Sequence, residues 1–538
     1  MTQNTHNLRS ILNVATDPLS QQGSSGSSFS TSTPVQSRSD EEVKSAHRIP
    51  PTYKARLLDH PGWVLLVVFA LAVFADLMIY KQRIGLQWAL FVNALLLVTF
   101  GLTLLEGRRV PWWSFVLALP ISLTSILTVF RSESYTLITL VLFSMAALVL
   151  LAVSLLNGQW AGYRIREYFT QGLNVVVSVL TGLPSAVVQA FRGSETPPAE
   201  TVAQSSKPDR KAGAILRGVL IALPLVLIFG ALLASADSIF SSRLSALVNW
   251  IRIENMTDLV NQAVLVLVIT YVLFGAVSHA LTKSAEKQAL EPDLPLVKPF
   301  LGMTESTIVL ASLNLLFGAF LVVQFRYFFA GEANISLEGF TYAEYARRGF
   351  FELMAVACIS WVLHYALSAV TKREQKAQQV WFSVLGALLM LQVGVMLISA
   401  FQRLSLYEAA YGFTQDRLVA HVFMIVLGII LAFSVLMEIT RQFKRMGLVL
   451  LMSFLAFGLT LSLMNVDATI ARKNLQRALA GNELDSAYLV WSLSEDAAPT
   501  LFAHFDDPAT PPVLREDLGK VLSCRAVRFD QANPTGMG

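Results

Sequence analysis

The stretch that decides the fold is Leu86 to Leu105, LQWALFVNALLLVTFGLTLL, which holds no Lys, Arg, Asp, Glu or His. At ~1.5 Å per residue a helix of this length covers the ~30 Å hydrocarbon core of a bilayer. In hydrocarbon every backbone N–H and C=O needs a partner within the protein, and a helix supplies one locally. Comparable apolar runs occupy 63–80, 112–130, 135–157, 215–235, 260–281, 303–327, 350–371, 380–401, 416–438 and 446–465. The chain therefore reads as all-α, a polytopic transmembrane helix bundle of eleven spans over 59–465. Trp63, Tyr80, Trp112, Trp113, Tyr135 and Trp381 lie near span ends, where amphipathic rings meet the membrane–water interface.

Composition agrees. Of 538 residues, 54% are hydrophobic and 14% charged, against about 25% charged in soluble domains. A net charge of +4 is too small to point to nucleic acid as a partner. Cys358 falls in an apolar run and Cys524 in the polar tail, so a disulfide between them is not expected.

Residues 1–58, rich in Ser, Thr, Gln and Asn, predict a disordered cytoplasmic tail; they have no apolar stretch of signal-peptide type. Loop charge then sets the orientation. With the N-terminus inside, the inner segments from residue 40 onward carry 21 Lys and Arg and the outer loops 10. An odd span count puts the C-terminus outside the cytoplasm. The segment 168–191, within the loop 158–214, is fairly apolar but carries Gln171, Asn174, Ser178, Thr181, Ser185 and Gln189. A full span here would reverse every later loop, so it reads as an interfacial or re-entrant helix on the cytoplasmic face. Residues 466–507 read as a small helical extracytoplasmic domain: Asp467 caps a first helix, Asp485 a second, and Ser494 starts a third through Phe505. Order is expected to fade over 508–538, where Pro and Gly recur.

No HExxH, Walker A, GxSxG or CxxC pattern is present, so no catalytic residue, metal ligand or cofactor is assigned, and the balance leans away from an enzyme. Ionisable or polar groups inside spans are functional candidates by default: Asp76, with Lys81 or Arg83 as partner, Glu305, Asn314 and His364. Thr304, Thr307, Ala311, Asn314 and Gly318 share a helix face and read as a packing seam. The densest group is Phe340 to Glu352, FTYAEYARRGFFE. Two arginines stand here on the side where basic residues are sparse. In a helix Glu344 reaches Arg347 and Arg348, and Arg348 reaches Glu352, with Tyr345 on the same face. This ladder neutralises charge at the membrane boundary or holds an anion or headgroup, since an arginine fork suits carboxylate and phosphate. Arg326 and Asp237 belong to the same face.

The phrases ASADSIF (234–240), VQFRYF (323–328), YAEYARRGFFEL (342–353) and NVDATIAR (465–472), with Asp485 to Leu489 and Ser494 to Pro499, resemble a bacterial integral-membrane family, domain of unknown function 4173. The resemblance covers about 210–505. It implies no activity. One departure is Val466, where Asn-Pro-Asp is the expected phrase. The function expected is a partner- or lipid-binding envelope component that uses the outer Arg/Glu segment and the tail. Its partners would be membrane lipid and, through 466–507, another envelope protein. A transporter of a small or anionic substrate and a membrane enzyme acting on a lipid-linked substrate are the alternatives.

Overall fold

A computed structural model describes residues 58, 61–79, 85–192, scattered positions between 222 and 242, 256–285, 299–329 and 349–532, all within one unit, Ala55–Gly538. The side chains of 79, 185–192, 256–259, 325–329, 443 and 532 are outside that description. So is nearly all of the 1–58 tail.

The protein is all-helical: its described residues form no strand, only a single bridge between Leu301 and Thr371. Helices α1 (Pro61–Ile79), α2 (Leu86–Leu105), α3 (Trp112–Leu127) and α4 (Ser134–Ser154) come first. Then follow α5 (Ile165–Arg192), α6 (Met256–Thr282), α7 (Met303–Phe329) and α8 (Phe350–Val370). The membrane part closes with α9 (Lys376–Tyr411), α10 (Gln415–Thr440) and α11 (Met446–Met464). Among the described residues 10 helices are long and apolar enough to cross a bilayer, all of these except α5. The chain is a multi-pass membrane protein. The expected span at 215–235 falls where only scattered positions are described, and those from 222 to 236 are helical.

Helix ends follow local chemistry. Glu133 accepts the N–H groups of Tyr135 (2.6 Å) and Thr136 (2.7 Å) and so caps α4. Gln375 and Gln378 form a reciprocal capping box at α9. Gly349 and Gly412 take positive φ at helix junctions, where a side chain would be strained. Inside the spans Thr99, Thr103, Thr139 and Ser154 return their hydroxyls to the carbonyl four residues back, so these four are satisfied in hydrocarbon.

Loop contacts sort the helix ends into two faces. On one, Thr128 donates to Gly85 O (3.1 Å) and Arg131 to Ser462 O (2.6 Å). On the other, Ser114 donates to Leu155 O (2.8 Å), Leu156 N–H to Ser284 Oγ (3.2 Å), and Lys372 N–H to Leu301 O (2.9 Å). The C-terminal helices sit on the first, here the tail face. One apolar core joins α1–α4 with α6, and a second is built from α7–α10. Half of the α4 and α6 spans is buried but only 17% of α7, which marks α7 as peripheral.

Helix α5 runs antiparallel along α6. Its Ser178 meets His279 Nδ1 at 2.9 Å, and a Cβ on Gly182 would lie 3.0 Å from Gly275 Cα. The sequence reading of 168–191 as an interfacial or re-entrant segment lacked this partner: Ser178 is spent on the neighbouring helix, while Asn174 and Thr181 bond within α5, and two glycines let the backbones touch.

The tail adds α12 (Val466–Leu479), α13 (Ser486–Trp491), α14 (Ala498–Asp506) and α15 (Pro512–Ala532). Two sequence expectations change. Asn465, not Asp467, caps α12, through Ala468 N–H. Order also continues past Pro508. Leu514, Leu518 and Val521 of α15 join the tail core, and Arg525 donates to Leu489 O (2.6 Å) and Leu493 O (3.2 Å) at the end of α13. A cation on bare C-terminal carbonyls explains why this polar-looking segment is held.

Candidate functional site

The tail grips the turn between α9 and α10. Asn474 accepts from Phe413 N–H (2.8 Å) and donates to Phe413 O (2.9 Å). Arg477 donates to Ala409 O (3.2 Å) and Ala410 O (3.0 Å), the last carbonyls of α9. Asp467 is fully buried and takes Gln415 Nε2 (2.7 Å) on one oxygen and Ser494 N–H (2.6 Å) on the other. Asp496 accepts the amide and hydroxyl of Ser132 at 3.0 and 2.9 Å, which fastens the tail to the α3–α4 turn.

This docking encloses a cavity of about 490 Å³, the size of a small-molecule site. Phe350, Phe351 and Leu404 make one wall; Tyr407, Asp416, Arg417, Tyr488 and Ser492 supply polar groups. The Arg417 guanidinium lies 4.2 Å above the Tyr407 ring and donates to Gly412 O. Asp416 accepts the Tyr135 hydroxyl. Tyr488 accepts Gln415 N–H at 2.8 Å, and burial pushes its phenol up to about 12, against the hydrogen bond from Gln415. The phenol keeps its proton at neutral pH, and among the described residues no acceptor takes it. The cavity thus offers a guanidinium and an O–H donor near apolar rings.

The second polar group lies near the other face. His364 Nε2 is 3.4 Å from Glu438 Oε2; Glu438 Oε1 accepts Ser383 Oγ at 2.7 Å and stands 3.5 Å from Arg373 Nη1. A similar pair, His421 Nδ1 and Glu408 Oε1 at 3.2 Å, sits near the tail face. His364 is thus part of a charged centre, which the sequence did not show because Glu438 and Arg373 come from other segments. Their only signal was a glutamate two residues from the end of a span.

The other sequence candidates are placed as follows. Glu344, Tyr345, Arg347 and Arg348 lie outside the described residues, as does the side chain of Arg326; Lys81 and Arg83, named as partners of Asp76, lie outside too. Glu352 is exposed in the first turn of α8. Asp237 is exposed and accepts Phe240 N–H at 3.1 Å. Asp76 is buried, 7% exposed, and its Oδ1 meets no donor among the described residues. Glu305 accepts Gly302 N–H (2.7 Å) at the start of α7. Asn314 ties α7 to α9 through Leu385 O (3.1 Å), while Gln392 Nε2 donates to Asn314 O (3.2 Å).

A family profile, Domain of unknown function (DUF4153), matches residues 118–503. The chain belongs to this family. The family number expected from the sequence phrases, 4173, is not the one matched, although both are families of unknown function. The DUF4153 region runs from mid-α3 to α14 and contains every cavity residue and the whole His364–Glu438 centre. No curated protein and no solved structure matches the chain.

Proposed function

We propose that the protein is an envelope component that binds an anionic amphiphile, the headgroup of a membrane lipid, in the cavity beneath its tail. The observation that carries this is the pairing of Arg417 and the unspent Tyr488 hydroxyl proton with Phe350 and Phe351 in one ligand-sized space. A phosphate takes both donors while acyl carbons meet the rings. The sequence adds Arg347 and Arg348 just before Phe350. In this reading the tail face is extracytoplasmic, the N-terminus is cytoplasmic and the membrane is the bacterial cytoplasmic one. The charge asymmetry supports it, since Arg108, Arg109, Arg164, Lys372, Lys444 and Arg445 all belong to connections on the opposite face. Helices α12–α14, on the same side, are the surface for a protein partner.

The test is lipid retention by the full chain purified in nanodiscs, with phosphatidylglycerol and phosphatidylcholine as probes. Phosphatidylglycerol should be preferred, and Arg417→Gln and Tyr488→Phe should each weaken its retention about tenfold, one hydrogen bond to a charged group being ~1.5 kcal/mol or more. Arg417→Lys should keep most of the preference. Equal retention of both lipids, or no loss in either variant with melting unchanged, sinks the proposal. A reporter fused after Gly538 should be active only outside the cytoplasm; cytoplasmic activity overturns the orientation.

A further inference from the structure

The cavity beneath the tail leaves the charged centre on the opposite face unexplained. We infer that His364, Glu438 and Arg373 form a proton-binding site in which an arriving proton takes the place of the arginine. Glu438 is the shared acceptor. Its firm bond is to Ser383 Oγ at 2.7 Å, while His364 at 3.4 Å and Arg373 at 3.5 Å both stand outside full-strength hydrogen-bond range. With a neutral imidazole the carboxylate and guanidinium cancel. A proton on His364 would leave one uncompensated positive charge in a buried site, which is costly. Release of one cation restores neutrality.

Arg373 is the cation able to leave. Its side chain is 21% exposed, against 2% for His364 and Glu438, and from the loop between α8 and α9 its full-strength bonds go to Ser368 O (2.6 Å) and Oγ (3.0 Å), with its guanidinium 4.5 Å from the Phe382 ring centroid, and not to Glu438. Burial lowers the basicity of its guanidinium; Glu438 opposes this and Arg441 adds to it. Water is therefore the better solvent for its charge once Glu438 has another partner. The imidazole is the member that stays: a Cβ on Gly386 would overlap its Cε1, so the Cε1 corner of the ring packs closely on the α9 backbone. Phe382 stacks on it with centroids 6.1 Å apart.

The exchange balances. Nε2 of His364 takes a proton from water, the imidazolium pairs with Oε2 of Glu438, and Arg373 turns outward, so the buried charge is zero before and after. Of the other charged groups, Arg441 at the end of α10 acts on Arg373, and Lys372 and Glu374 flank it on the loop. From α9 the ring meets Gly386 and Phe382. The exchange would reach α7, because the Arg373 loop is tied to it by Lys372 N–H to Leu301 O (2.9 Å) and by the Ser306–Thr371 hydroxyl pair (2.8 Å).

The test uses the full chain in nanodiscs, with Cys358→Ala and Cys524→Ser, and a nitroxide on Lys372→Cys. Between pH 8 and pH 5 the immobilised component of the spectrum should be lost. His364→Gln should stay immobilised at both pH values, whereas Arg373→Gln should be mobile at both. His421→Gln should respond like the parent, which separates this centre from the pair at the other face. Glu438→Gln removes the shared acceptor and should be mobile at both pH values, a second readout where His364→Gln fails to fold. A parent with no pH response, a response surviving His364→Gln, or an immobile Glu438→Gln overturns the inference.

Discussion

Asp467→Ala should detach the tail. This carboxylate is 0% exposed and satisfies two donors from different elements, Gln415 Nε2 at 2.7 Å and Ser494 N–H at 2.6 Å. Hydrogen bonds to a charged group contribute ~1.5–3 kcal/mol each. The variant also removes the cost of burying the carboxylate itself, so the lower end applies, about 3 kcal/mol for the pair. At ~1.4 kcal/mol per tenfold, the tail should open about a hundred times more often. Asp467→Asn keeps one acceptor but turns an NH₂ toward the other donor, so about half the effect is expected. Hydrogen exchange on the full chain in nanodiscs reads this directly: amides of α12–α14, Ser494 among them, should exchange faster by that factor, while those of α2 stay unchanged. Exchange of the tail in Asp467→Ala within about threefold of the parent would refute the reasoning, as ~0.6 kcal/mol is less than one such bond.

Three further outcomes follow from the packing. Gly275→Ala places a Cβ against the Val179 backbone and should separate α5 from α6, lowering the melting temperature sharply, while Gly172→Ala, with nothing within 4 Å, should be neutral or raise it. Gly386→Ala drives a Cβ into the His364 ring and should cost ~1–3 kcal/mol, measured by thermal melting in detergent. Glu133 sits outside the spans, and burial pushes its carboxyl above the ordinary glutamate value of 4.5 in spite of its bonds to Thr136 and Tyr135. A raised folded-state value means that the folded protein holds this proton more tightly. Its stabilising contribution is complete below about pH 4.5 and is lost as the pH rises through the folded value. Melting curves of Glu133→Gln should therefore show a smaller fall in stability over that window than the parent, and an identical fall would count against the assignment.

The reach of sequence reading differed by feature. Runs such as Leu86–Leu105 needed no tertiary information, because a bilayer imposes helix on any long uncharged stretch. Asp485 and Ser494 were legible as caps since a cap is made within three residues: Tyr488 N–H and Asp496 N–H are their partners. Asp467 was misread for the complementary reason. Its position in a first turn invited a local role, yet its partners are 52 and 27 residues away. Likewise the segment of α15 looked weak because Pro and Gly recur from Pro508 onward, while Arg525, on carbonyls of another helix, helps to hold it. His364 stood out in the sequence, but Glu438 and Arg373 did not, lying near helix ends where charge is unremarkable.

What the sequence by itself determined is the solvent, the class and the rhythm of the chain: apolar runs, helices within them, and basic residues gathered in alternate loops. These rest on local backbone hydrogen bonding and on transfer from water to lipid, both of which act residue by residue. Only the tertiary structure decided that Asn474, Arg477 and Asp467 clamp the tail to one helical turn, that a cavity forms at that seam, and that one glutamate stands between a histidine and an arginine. Those features join side chains tens to hundreds of positions apart, and no local preference encodes which distant donor a buried carboxylate will meet.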